Sequence, residues 1–153
     1  MIPSLINAHG APWPILPPGI HWASLVEIKC IFAINPIRRK QYAGLIAAAQ
    51  ALALADCKTL YLDGSYITGK PNPGDYDGCW DPTGVDPVKL DPVLLDFDDL
   101  RKNQKAKYLG ELFLTQPHTR SGSEDFLKFF QIEKFTGQPK GILAIDLTRE
   151  SFN

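Results

Sequence analysis

The sequence predicts an α/β (α+β) fold, a small mixed β-sheet with helices packed on it. Two observations lead there. Helix-like and strand-like segments alternate along the chain, and the longest helical segment repeats its apolar residues at helical spacing while the strand segments are short and apolar. The chain has 153 residues, a size that normally makes one domain around one core. Hydrophobic residues at 44% and charged residues at 22% match a globular protein and exclude a disordered chain or a fibre.

Residues 1–20 read as an irregular N-terminal arm ahead of a single domain at 21–153. Pro3, Pro12, Pro14, Pro17 and Pro18 remove backbone donors and disfavour helix. Leu5, Ile6, Trp13, Ile15 and Leu16 are interleaved with them, so the arm is expected to lie against the body. Ser24 and Glu27 have the spacing of a capping box, which starts a short helix running to about residue 33. Asn35-Pro36 reads as N-cap and first-turn proline of a second helix, to about residue 55. Its stripe is Leu45, Ile46, Ala49, Leu52 and Ala53.

Residues 59–62 form a strand that Gly64-Ser65 ends, because β-branched and aromatic residues favour a pleated, buried surface. Residues 69–74 are loop by composition, and 76–80 make a second strand in which Trp80 is expected to pack in the core. Asp86-Pro87-Val88 and Asp91-Pro92-Val93 each start a short helical turn. A basic helix follows at 99–108, then a strand at 111–114. Ser123 is read as the cap of a helix through about residue 132, and a final strand covers 141–147.

A formal net charge of −1 gives no general pull toward nucleic acid or anionic lipid. Cys30, Cys57 and Cys79 have no C-x-x-C spacing, which argues against a disulfide framework and a structural zinc site. His9, His21 and His118 are scattered, and no nucleophile elbow, Walker A loop or H-E-x-x-H helix is present. No apolar stretch approaches the roughly 18 residues that span a bilayer. With no basic-then-apolar leader either, a cytoplasmic protein with no membrane partner is expected.

The segment with chemical content is Leu62-Asp63-Gly64-Ser65, then nine further residues, then Asp75-Tyr76-Asp77. A glycine at a strand end lets the backbone approach a bulky anion, and a tight turn with a hydroxyl beside it makes an anion-binding concavity. Two aspartates at i and i+2 on a strand share a face, about 7 Å apart along the backbone. At that spacing like charges repel unless a cation compensates, and Mg²⁺ takes carboxylates together with substrate phosphates. The turn and the acidic pair are expected to form one site.

These residues resemble the signature of the polymerase-β-like nucleotidyltransferase superfamily: Gly followed by Gly or Ser, a short gap, then Asp-x-Asp. The stretches Tyr61 to Thr68 and Gly74 to Asp81 look like one bacterial family of short single-domain proteins in that group. So do Leu16 to His21, Gly110 to Phe113 and Pro139 to Ile142, so the likeness extends over most of the chain. Asp63 and Gly78 stand where the superfamily pattern has apolar residues.

The resemblance implies an enzyme that moves a nucleoside monophosphate from an NTP to a hydroxyl acceptor, using a two-metal Mg²⁺ site. Asp75 and Asp77 would be catalytic and metal-binding. A third carboxylate is expected from Glu111, with Asp146 in reserve. Gly64, Ser65, Lys70 and Lys140 would hold the nucleotide. Arg101, Lys102 and Lys105 are read as a solvated helix face. Arg38-Arg39-Lys40 opposes the macrodipole at the start of its helix and hints at a partner or an acidic neighbour. The acceptor stays open among a protein side chain, an RNA end and a small molecule. The alternative is a catalytically weak binding module that acts on a partner protein as an antitoxin or immunity component.

Overall fold

Glu27 N donates to the Ser24 hydroxyl at 3.2 Å, and Ser24 N donates to Glu27 Oε2 at 2.8 Å, so the capping box is closed from both sides. It opens helix α1, Leu25–Phe32, in a computed structural model that describes residues 1–115 and 126–152. The Asn35 side chain accepts from Arg38 N at 2.8 Å and starts α2, Pro36–Leu54, which buries Leu45, Ala48, Ala49 and Leu52.

Among the described residues five strands form one mixed sheet: β1 Gly19–Trp22, β2 Thr59–Asp63, β3 Tyr76–Trp80, β4 Gly110–Leu114 and β5 Gly141–Asp146. Their order is β1-β5-β2-β3-β4. The β1/β5 and β3/β4 pairs are parallel; β5/β2 and β2/β3 are antiparallel. Strand alternation divides the side chains between two faces. Leu60, Leu62, Tyr76, Trp80, Leu112, Leu143 and Ile145 join the helices α1 and α2 in the main core. Cys79 and Ile142 lie in a smaller cluster with Phe130, against which Tyr61 and Phe113 pack. The second face carries the acidic residues.

Several expectations are corrected. Gly19–Trp22 is a strand rather than the end of an irregular arm, because β5 supplies its hydrogen-bonding edge. Ile2, Ile15 and Leu16 are buried, and Ile6 bridges Ile15, so the arm does lie on the body. Helix α3, Asp98–Tyr108, has left-handed backbone at Asp99, Leu100 and Arg101, which separates its first turn from the rest. Ser123, expected to cap a helix, lies outside the described residues. The helix there, α4, is Phe126–Phe129, and Ile132 instead bridges Pro139.

Arg38 points inward, onto the loop after β2. It is buried and donates to the carbonyls of Tyr66 at 2.6 Å, Thr68 at 2.9 Å and Lys70 at 2.5 Å. Buried guanidinium is costly unless its donors are filled, and here the loop after β2 fills them. Among the described residues no helix is long and apolar enough to cross a membrane.

Candidate active site

Register sets the site. Asp63 on β2 stands opposite Asp77 on β3, and Asp77 stands opposite Glu111 on β4. Directly opposed residues have Cβ atoms about 4.5–5.5 Å apart, so three carboxylates form a row across three strands. Asp75 precedes β3, two residues from Asp77. Single carboxylate oxygens of Asp75, Asp77 and Glu111 all lie within 4.8 Å of one another.

The turn meets this row. Gly64 has φ +83°, a conformation that favours glycine, and a Cβ placed there would lie 2.8 Å from Asp77 Oδ2 and 3.1 Å from Asp77 N. Ser65 then opens a 3-10 turn, Ser65–Ile67, whose first N–H groups have no partner within the turn. Thr68 donates its hydroxyl to Ser65 O at 2.6 Å and closes the loop. Asp63, Gly64, Ser65, Lys70, Asp77 and Lys140 all line one cavity of about 420 Å³.

The electrostatics follow from burial first and crowding second. Burial pushes the Asp77 carboxyl up to about 7, and Asp75, Glu111 and Asp63 push in the same direction, while Lys140 opposes them. Asp75 is raised first by burial and then by Glu111, with Lys105 and Lys70 opposing. Asp63 is raised by burial, against the pull of Lys140. A compact set of hard oxygen donors, two of them raised by burial and then by their mutual repulsion, fits a divalent cation such as Mg²⁺.

Each expected nucleotide-binding lysine has a partner. Lys140 Nζ lies 2.8 Å from Asp63 Oδ1, with the side chains 14% and 6% exposed. Lys70 Nζ sits 5.0 Å from the centre of the Trp13 ring, so the N-terminal arm helps place it. Asp146 is not near the row: it pairs with Thr59, at the opposite end of β2 from Asp63, and its carboxylate accepts from Thr148 N and Oγ1.

The basic face of α3 is not simply solvated. Lys105 Nζ lies 2.7 Å from Glu111 Oε1. The Arg101 guanidinium stacks 3.7 Å from the centre of the Phe113 ring and 4.9 Å from that of Phe97, while Lys102 is exposed. Sequence reasoning missed Asp63, Trp13, Arg101 and Lys105 as members of the site. Asp63 carried a signal, as a charged residue at the end of an apolar strand; the other three carried none, since only tertiary packing brings them to the row.

The chain belongs to the family of unknown function DUF6932, whose model matches residues 11–146. Comparison with curated proteins and with solved structures gives no match.

Proposed function

We propose that this chain is a Mg²⁺-dependent nucleotidyltransferase of the polymerase-β-like kind, moving a nucleoside monophosphate from an NTP to a hydroxyl acceptor. The observation that carries the reading is the contact of Gly64 with Asp77, which joins a small-residue turn to an acidic cluster. Asp75, Asp77 and Glu111 would hold the metal, which when bound neutralises charge on the transferring group and on the departing pyrophosphate.

The chain's own groups account for the rest. The Gly64-Ser65 turn offers N–H groups and a hydroxyl to the β- and γ-phosphates. Lys70 and Lys140 border the same cavity and screen the triphosphate. The acceptor oxygen bonds to the α-phosphorus as the bond from that phosphorus to the bridging oxygen breaks. Pyrophosphate leaves with the electron pair, and the hydroxyl proton passes to the Glu111 carboxylate.

The test is label transfer from each α-labelled NTP with Mg²⁺, comparing the native chain with Asp77→Asn. Loss of transfer with an unchanged circular dichroism spectrum supports the mechanism, and unchanged transfer ends it. One observation favours the binding-module reading: Lys105 already occupies Glu111. Under that reading no NTP is bound or consumed, and the protein masks a partner.

A further inference from the structure

A second cavity, of about 320 Å³, lies between α2 and the loop before β3, bordered by Ile37, Lys40, Gln41, Asp75, Lys105 and Leu109. Asp75 and Gly74 line both this cavity and the one beside Gly64. Asp75 therefore separates two chambers. Displacement at phosphorus needs the attacking and leaving oxygens roughly in line, so an acceptor should approach from the side away from the triphosphate cradle.

Gln41 is 5% exposed, and its Nε2 donates to Pro73 O at 2.5 Å, which fixes the orientation of the amide. Its Oε1 is buried without a hydrogen-bond partner. Lys40 is exposed and makes no ion pair with any described residue, and Lys105 stands at the same cavity. Once cations neutralise Asp75 and Glu111, the two ammonium groups leave a positive rim. Ile37 and Leu109 supply apolar wall for a carbon skeleton.

We infer that this second cavity is the acceptor site and takes a small phosphorylated alcohol, its hydroxyl side toward Asp75 and its phosphate at Lys40. The assignment as acceptor site rests on the nucleotidyltransferase reading. An RNA acceptor is disfavoured, because a strand needs a track of phosphate contacts. The net charge is −1, and Arg38, the first base of its cluster, is spent on carbonyls. A volume near 320 Å³ suits one small molecule.

The experiment measures binding by calorimetry and saturation-transfer NMR, with Mg²⁺ and no NTP present. The probes are ribose 5-phosphate, glucose 6-phosphate and glycerol 3-phosphate, each beside its unphosphorylated parent, and an oligouridylate. At least one phosphorylated probe should bind about tenfold more tightly than its parent. Lys40→Glu should weaken it by a similar factor, and Ile37→Trp should block it by filling the chamber, while ATP affinity stays the same in both variants. Equal binding by Lys40→Glu and native protein, failure of all three phosphorylated probes, or Lys40-dependent binding of the oligouridylate alone overturns the inference. Because no NTP is present, failure of label transfer does not affect this result. Asp77-dependent transfer that is indifferent to Lys40 would keep the enzyme and remove the acceptor site.

Discussion

A Cβ on Gly64 would come within 2.8 Å of Asp77 Oδ2, so the turn after β2 and the acidic residue of β3 share one van der Waals surface. Gly64→Ala therefore forces either the turn or the carboxylate to move. Gly64 has φ +83° and ψ −173°, a region essentially confined to glycine that costs another residue about 1–3 kcal/mol, before any clash. The variant should melt lower by circular dichroism and lose most of its Mg²⁺-dependent thermal shift with NTP. A variant that binds NTP as well as the native chain would show that the turn does not hold phosphates.

Burial of Asp77, and after it the neighbouring carboxylates, set a pH dependence. Asp77 is held near 7 in the folded chain, above the value of about 3.9 for an unperturbed aspartate. A carboxyl raised on folding contributes stability below its unfolded pKa, and that contribution is lost as pH rises through the folded pKa. In EDTA the melting temperature should therefore fall between about pH 4 and pH 7. Asp77→Asn should flatten that fall, and Mg²⁺ should reverse it at neutral pH. Identical curves for native and Asp77→Asn protein would show that Asp77 is not strained.

The Lys140–Asp63 pair is buried, and removing one partner strands the other. Lys140→Met should lower the unfolding free energy by about 3–5 kcal/mol in urea melts. Asp63→Asn combined with Lys140→Met should recover much of that loss, because no buried charge is then left alone. Both changes should weaken NTP binding, since a lysine is missing from the cavity in each.

Lys105 competes with any cation for Glu111. Lys105→Met should leave the fold intact and tighten Mg²⁺ or Mn²⁺ binding, read by calorimetry, because Glu111 is released as a ligand. Unaltered metal affinity would place Glu111 outside the metal set and favour the binding-module reading.

Local chemistry made much of this chain legible from residues alone. Ser24 with Glu27 and Asn35 with Pro36 start the two helices where their caps require. Tyr76–Trp80 is the strand expected from its composition, and Trp80 is buried in the core. The Gly64-Ser65 turn and the Asp75-Tyr76-Asp77 pattern announced one site because their side-chain chemistry is read within a few residues. Tertiary structure decided what lies between distant segments. It made Gly19–Trp22 a strand by pairing it with β5, and turned Arg38 inward onto loop carbonyls. It also aligned Glu111 and Asp63 on either side of Asp77 and set Lys140 and Lys105 against them. Caps and turns depend on neighbours along the chain, whereas strand register and charge pairing depend on neighbours across the sheet, which the order of residues does not state.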